Sequence, residues 1–279
     1  MPKVCITGNR GFIGSHLEQR LKKEGYDVIG YDLKDGKDIR TMTPEDLENV
    51  DYVFHMAAQA KVPLSIDDPV MTHDHNINGT LNVLECAKKA GVKRVIYSAS
   101  SSAYGEQSTL PLHEGKSPNP MSPYGIQKMV GEYYCKVYSD VYGLDTVSLR
   151  YFNVYGEDMP VNGAYSACLA IFLSNKANGK PLTVFGGKQK RDFTYVGDVV
   201  SANIKAMERK GDLKGEVINI GTGTNYSIDE IAEIIGGEIV HEPQREGEPM
   251  ETLADVTKAK IYLRWQPIEN LKSWLQRNS

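Results

Sequence analysis

Cysteine is scarce and scattered. The 279-residue chain has four, Cys5, Cys86, Cys135 and Cys168, and no C-x-x-C pair. That spacing argues against a disulfide framework or a zinc site and fits a reducing, cytoplasmic setting. Long apolar runs are missing too. None approaches the roughly 18 residues that a membrane span needs, so no membrane partner is expected. The opening MPKVCITGNR lacks the charged-then-apolar pattern of a signal peptide. There is no excess of basic charge. With 32 basic and 36 acidic residues the net charge is −4, which supplies no general field for nucleic acid. Repeats and low-complexity segments are absent. What remains is an ordinary globular composition, 41% hydrophobic and 24% charged, which argues against disorder, collagen or a coiled coil. The length suits one large domain or two small ones.

Short apolar strands alternate with helical periods. Strand-like runs occur at 3–7, 27–32, 51–56, 94–98, 146–151 and 217–220. Helical spacing occupies 15–24, 76–90 and 124–142, with Leu17 and Leu21 at i, i+4 in the first. Such alternation predicts an α/β fold, a doubly wound parallel sheet covered on both faces. Gly/Pro-rich stretches near 156–163 and 179–187 break the rhythm, and a smaller C-terminal substrate lobe is expected to begin there. The expected division is 1–155 plus about 191–221 for the sheet domain, and about 156–190 plus 222–279 for the lobe.

The first strand runs into Gly8-Asn9-Arg10-Gly11-Phe12-Ile13-Gly14, a G-x-x-G-x-x-G loop that opens a helix. Glycines let a main chain approach a pyrophosphate, and the helix N-terminus adds N–H groups and a positive dipole end. By itself such a loop is a weak signal, equally a tight turn. Its setting between strand and helix strengthens it. So does Asp32, which ends the next strand 18 residues past Gly14. An acid there suits the ribose hydroxyls of NAD and repels the extra phosphate of NADP. The alternative for Asp32 is a solvated strand-end carboxylate.

Tyr124 and Lys128 in Tyr124-Gly125-Ile126-Gln127-Lys128 stand at i, i+4 on one helical face. A free phenol, with a pKa near ~10, is a poor base at neutral pH. A neighbouring ammonium and a cationic nicotinamide both favour phenolate. Such a tyrosine can take a proton from a sugar hydroxyl while hydride leaves the same carbon. The pattern alone is common on surface helices. Here a strand ends 24 residues upstream in Ser100-Ser101-Ser102-Ala103-Tyr104-Gly105, small hydroxyls where doubly wound folds bind ligands. The plain alternative is a satisfied polar loop. His73 and His75, at i, i+2, share no helical face, so no metal site is expected.

Taken in order, TGNRGFIG, HMAAQAKV, NINGTLNVLECAKKAGV, YSASSSAYG, SPYGIQK, LRYFNVYG, NGAYSA, GKPLTVFGG, RDFTYVGDVV, NIGTG and REGEPMETLADVTKAK resemble the extended short-chain dehydrogenases/reductases, and among them the nucleotide-sugar 4-epimerases. The resemblance spans essentially the whole chain. It implies a Rossmann sheet, tightly held NAD, a UDP-sugar substrate and a homodimer built by a four-helix bundle from 78–90 and 124–142. By position it implies Tyr124 as catalytic acid/base, Lys128 as the lysine that holds the nicotinamide ribose, and Ser100 as the serine on the reacting hydroxyl. It assigns Gly8, Gly11, Phe12, Ile13, Gly14, Asp32, Asp38, Ile39, Ala57, Ala58, Asn76 and Tyr151 to the cofactor, with Tyr124 and Lys128. It assigns Ser102, Asn153, Phe185, Arg191, Arg245, Glu248 and Thr252 to the substrate, with Ser100 and Tyr124. Read without the resemblance, Arg191 and Arg245 are surface arginines and Phe185 is packing.

Three differences sharpen the reading. Sister dehydratases and uronate decarboxylases carry carboxylates where this chain has Ser101 and Ser102, so oxidation and reduction at one carbon fits better than a lyase or a net oxidoreductase. Thr252 occupies the gatekeeper position, which is bulky in enzymes restricted to plain hexoses. A modest Thr leaves room for a 2-acetamido group, placing UDP-GlcNAc/UDP-GalNAc first, with UDP-Glc/UDP-Gal beside it. UDP-glucuronate ranks second, because its epimerases usually have Thr at position 153. Finally, five residues separate Asp32 from Asp38, where the family inserts a helix and a strand. The sheet is therefore expected to be one αβ unit short after strand 2, which puts the adenine contact at Asp38 and Ile39 in question.

Overall fold

The computed structural model describes residues 2–161, 168–243 and 249–279. Its strands are β1 (Lys3–Thr7), β2 (Asp27–Tyr31), β3 (Tyr52–His55), β4 (Arg94–Ser100), β5 (Asp145–Tyr151), β6 (Val154–Tyr155), β7 (Leu182–Phe185), β8 (Lys190–Asp192), β9 (Thr194–Tyr195), β10 (Glu216–Ile220), β11 (Asn225–Ser227) and β12 (Ile239–Glu242). The α-helices are α1 (Phe12–Lys23), α2 (Val62–Asp67), α3 (Pro69–His73), α4 (Gly79–Ala90), α5 (Pro123–Tyr142), α6 (Cys168–Ala177), α7 (Val196–Glu208), α8 (Ile228–Ile235), α9 (Thr257–Leu263) and α10 (Leu271–Asn278).

Six strands form one sheet in the order β10-β5-β4-β3-β1-β2, and every pairing is parallel. Alternate residues point to opposite faces. Val4 and Ile6 of β1 join the core under α1, α7 and α9, with Leu17, Leu21, Val199, Ile204, Ala259 and Leu263. Cys5, between them, joins the core under α4 and α5, with Val83, Leu84, Ala87, Cys135 and Tyr138. A strand buried on both faces reads as a continuous apolar run, which is why KVCIT shows no alternation.

The shortened connection after β2 is observed directly. Between Tyr31 and Tyr52, all described, the chain makes three short 3-10 turns, at Leu33–Asp35, Ile39–Thr41 and Pro44–Leu47. With no further strand available there, β2 is the sheet edge. Ile39, Met42 and Leu47 of this connection fill the core under α4. A stretch of π-helix, Asp74–Asn78, precedes α4. The helical spacing from residue 76 does not reveal that change of pitch.

A separate apolar core lies beyond β5. It gathers Tyr155, Leu169, Phe172, Leu182, Val184, Ile228, Ile231, Leu271, Trp274 and Leu275. Beside it are three two-stranded pairings, β7 with β12, β8 with β11 and β6 with β9. The segment carrying Ala259, Leu263 and Trp265 packs in the core of the large sheet instead.

Candidate active site

In a parallel sheet the carboxyl ends of the strands lie together, and registers make this concrete. Thr7 is level with Tyr31 and His55, His55 with Tyr97, and Ser100 with Tyr151. The loop after β1, Asp32, Ala57, Ala58, Ser100 and Asn153 therefore emerge along one edge, where open α/β sheets bind ligands.

The glycine loop is a tight cradle. The Gly8 N–H donates to Tyr31 O (2.9 Å) and the Gly11 N–H to Gly8 O (3.0 Å). Gly8 has φ +75°, and a Cβ there would lie 2.7 Å from Ala57 N. A Cβ on Gly14 would lie 2.2 Å from Gly8 O. Neither position tolerates a side chain without displacing backbone. Helix α1 starts at Phe12 with no side-chain cap at Gly11 and no acid in its first turn. Its N–H groups and positive dipole end suit a diphosphate. Asp32 is 8% exposed. It accepts the N–H groups of Arg10 (2.9 Å) and Lys34 (2.9 Å). A carboxylate has about four acceptor positions, which leaves capacity for ribose hydroxyls. A backbone cradle without Cβ atoms and an acid at the neighbouring strand end fit a dinucleotide.

Around it the second group of expected cofactor residues is fixed by polar contacts. Thr7 Oγ1 accepts the N–H groups of Met56 and Ala57, each at 3.2 Å. Ala57 and Ala58 are thereby held beside the Gly8 turn. Asn76, 2% exposed, grips the next residue from both sides. Its Oδ1 accepts Gln59 N–H (2.7 Å) and its Nδ2 donates to Gln59 O (2.9 Å). Asp38 caps the second 3-10 turn and pairs with Arg40, while Ile39 is packed into the core and would meet any Cβ on Gly79. The Tyr151 phenol is buried, donating to Asn203 Oδ1 (2.9 Å) and sharing a bond with Ser98 Oγ (3.2 Å). Burial pushes its pKa up to about 12.

Helix α5 carries the expected catalytic pair, Tyr124 and Lys128. Ser122 caps it by accepting Gly125 N–H (3.2 Å), and Pro123 takes the first turn, where a missing N–H costs nothing. Lys128 Nζ donates to Ser98 O (2.7 Å) and sits 6.0 Å from the centre of the Tyr124 ring. Ser100 Oγ accepts both the N–H (3.2 Å) and the O–H (2.8 Å) of Ser102. A hydroxyl that accepts two bonds still has its own proton to donate. His55 is held neutral by burial, with a pKa near 3, lowered further by the Lys128 charge.

Burial also lowers Lys128, from an ordinary 10.5 to about 8, against a smaller opposing pull from Glu132. The sign of the consequence follows from linkage. Below pH 8 the lysine is charged in folded and unfolded chains, and the whole cost of burying the charge is present. Between about pH 8 and 10.5 the folded protein loses the proton first, so this residue makes stability rise with pH. The full span is on the order of 3 kcal/mol at 1.36 per unit. Urea unfolding of dinucleotide-free protein across that window is expected to show the rise, and Lys128→Met to abolish it. An equal rise in both proteins would remove Lys128 as its source.

Three of the expected substrate residues, Asn153, Arg191 and Thr252, meet around Asp192. This buried carboxylate accepts from Thr222 N–H (2.8 Å) and O–H (2.7 Å), Gly223 N–H (2.9 Å) and Ala254 N–H (3.0 Å). Burial raises its pKa while these donors oppose the shift. The carbonyl of Asp192 accepts from Asn153 Nδ2 (2.8 Å), and its N–H reaches Thr252 Oγ1 (3.4 Å). Asn153 itself has φ +24°. Arg191, next in chain, is 9% exposed and donates to Lys190 O (3.0 Å). Phe185 ends β7 half-buried. Arg245, Glu248 and the NGAYSA segment lie outside the described residues. Asp192, Ser65, Gln127 and the Glu132–Arg150 pair were not singled out from sequence. An acid beside Arg191 was the one available signal.

The NAD dependent epimerase/dehydratase family model matches residues 4–221. The chain belongs to this family. NAD is its cofactor, as Asp32 and the glycine cradle led one to expect. The chain is 36% identical to a UDP-glucose 4-epimerase of Thermotoga maritima solved with UDP-glucose, covering 99% of this chain and 97% of that one, with a TM-score of 0.92. It is 32% identical to a UDP-N-acetylglucosamine 4-epimerase of Methanobrevibacter ruminantium, with coverage of 99% and 96% and a TM-score of 0.93. It is 34% identical to a UDP-glucuronic acid 4-epimerase of Bacillus cereus solved with its sugar nucleotide and NAD, with coverage of 99% and 97% and a TM-score of 0.90.

Proposed function

We propose that this enzyme interconverts the C4 epimers of a UDP-sugar, with UDP-GlcNAc and UDP-GalNAc ranked first and UDP-Glc and UDP-Gal also accepted. The reading is carried by Ser100, Tyr124 and Lys128 beside the dinucleotide cradle, with Ser101 and Ser102 where a lyase needs acids. NAD held by the glycine turn and Asp32 would supply reversible hydride acceptance at that one carbon. Tyr124 takes the proton of the C4 hydroxyl and later gives it back. Lys128 stabilises the phenolate by its charge and fixes its distance through the bond to Ser98 O. Ser100 donates to the C4 oxygen and holds it during the turnover of the 4-keto sugar. Arg191 and Asn153 face the diphosphate in this reading, and a guanidinium suits phosphate oxygens. Arg245 and Glu248 are assigned to the substrate by family position alone.

Thr252 bears on the sugar. It is 6% exposed and its hydroxyl points to the Asp192 N–H, so it presents a small wall. UDP-glucuronate is the second reading, favoured by the same Thr252 and disfavoured by Asn153. A panel of UDP-sugars followed by NMR tests the choice. The expected result is conversion of UDP-GlcNAc to UDP-GalNAc without added NAD and without net cofactor reduction. A released keto sugar, carbon dioxide or stoichiometric NADH would overturn epimerisation. Thr252→Tyr is expected to lower turnover of the acetamido pair by about tenfold or more, the scale of steric discrimination in a pocket, and to affect the plain hexoses less. Unchanged acetamido turnover would count against a size filter.

The reading includes a homodimer through α4 and α5. Tyr133, Val137 and Val141 stand at i, i+4, i+8 on α5 and are 56%, 44% and 66% exposed. That stripe is the kind of face a helix–helix contact covers. Sedimentation at a mass of one chain would refute it.

A further inference from the structure

The first turn of α5 must place a phenol accurately, yet its backbone donors have few local partners. The N-terminal N–H groups of any helix lack intrahelical acceptors. Pro123 has none to satisfy, and Ser122 accepts from Gly125 through its hydroxyl and from Ile126 through its carbonyl. The remaining N–H is that of Tyr124 itself. It donates to Ser65 Oγ at 3.1 Å. Ser65 is wholly buried in α2, and its hydroxyl donates to Val62 O at 2.7 Å. The donor and acceptor roles of that hydroxyl are thereby both used.

One turn further on, Gln127 stands between Tyr124 and Lys128 and is 3% exposed. Its Oε1 accepts Asn76 Nδ2 (2.7 Å), and its Nε2 donates to Thr72 Oγ1 (3.0 Å). Asn76 is the residue that clamps Gln59, two positions after Ala57. Thr72 donates in turn to Asp68 O (3.1 Å). A continuous buried polar chain thus runs from the loop beside the Gly8 turn, through the π-helical segment, to the reactive face of α5. Such a fully satisfied network is rigid, because any shift strands a polar group away from water.

We propose that Ser65 and Gln127 are positioning residues for the reaction: together they pin the start of α5 against the dinucleotide-side loop, and so set the place of the Tyr124 phenol and the Lys128 ammonium relative to the bound cofactor. This rests on the acid/base role proposed for Tyr124. Neither residue touches the reacting atoms. Both act through the helix they hold.

The test uses the dinucleotide-loaded enzyme with Ser65→Ala, Ser65→Thr and Gln127→Leu. Misplacement of a reacting group by about 1 Å costs on the order of a hundredfold in rate. Ser65→Ala and Gln127→Leu are therefore expected to lower kcat by about 10- to 100-fold, with KM for the UDP-sugar within about twofold. Ser65→Thr, which keeps the hydroxyl, is expected to restore most of kcat. The second readout needs no substrate. Ultraviolet titration of each protein, with the titration of its Tyr124→Phe counterpart subtracted, isolates the ionisation of this phenol. Its step is expected to move upward in Ser65→Ala and Gln127→Leu. A folded variant with unchanged kcat and an unchanged phenol step would overturn the proposal. So would a loss of rate matched by lost thermal stability with the phenol step unmoved, since that marks a purely structural role. If the unaltered enzyme converts no UDP-sugar, the functional reading falls, and the phenol step still decides whether these residues position Tyr124.

Discussion

Tyr124→Phe is expected to lower kcat for epimerisation by about a thousandfold while NAD stays bound. The substitution removes one oxygen. The ring, the Ser122 cap, the Pro123 start and the N–H bond to Ser65 are all compatible with Phe. The tight turn of Gly8, Gly11 and Gly14 is built from its own backbone and that of Met56 and Ala57, and makes no use of the Tyr124 oxygen. What disappears is the group proposed to accept and return the C4 proton. General acid–base catalysis typically contributes 10²–10⁴-fold, and nothing else in the described constellation can substitute. His55 is neutral but sealed between Thr7 and Thr80. Lys128 already has a bond to Ser98 O. NMR of sugar turnover, with dinucleotide content measured by absorbance after denaturation, checks both halves. Near-normal turnover would remove Tyr124 from the mechanism.

Arg150→Leu is expected to destabilise the protein by roughly 3–5 kcal/mol, the usual cost of leaving one member of a buried ion pair alone. Arg150 and Glu132 are each 4% exposed at the side chain. They meet through two parallel bonds, Nε to Oε1 (2.7 Å) and Nη2 to Oε2 (2.6 Å). Burial raises the Glu132 pKa and Arg150 holds it down. Without the arginine the carboxyl should hold its proton more tightly when folded than when unfolded. A group of that kind loses stability as pH rises from its unfolded value of 4.5 upward, so the variant should suffer less in acid than at neutral pH. Urea unfolding at both conditions is the measurement. Glu132→Leu combined with Arg150→Met should recover most of the loss, because two buried charges are replaced by apolar volume. Equal losses in the single and double variants would show that packing, not the stranded charge, dominates.

These two results probe different kinds of information. Tyr124 was legible in the chain because i, i+4 spacing with Lys128 is a local property of a helix. The tight glycine turn was legible for a similar reason: close backbone approach requires Gly at fixed offsets, and a Cβ on Gly14 would lie only 2.2 Å from Gly8 O. The missing αβ unit could be counted from the five residues between Asp32 and Asp38. The Arg150–Glu132 pair was not legible. It joins β5 to α5, and a buried arginine looks in sequence like any other. Ser65 likewise sits in a stretch without any motif, 59 residues from the N–H it accepts.

The one-dimensional order of residues determined the class of fold, the tight glycine turn, the i, i+4 placement of Tyr124 and Lys128 and the shortened sheet, because each depends on spacing within a few turns or on chain length alone. Only the folded arrangement decided which buried groups hold those parts in place: the Asp192 carboxylate gathering donors from two segments, Asn76 gripping Gln59, Gln127 tied to Thr72. The physical reason is the cost of an unsatisfied polar group away from water. That cost selects partners by proximity in space, and proximity across dozens of residues is created by packing rather than by sequence order.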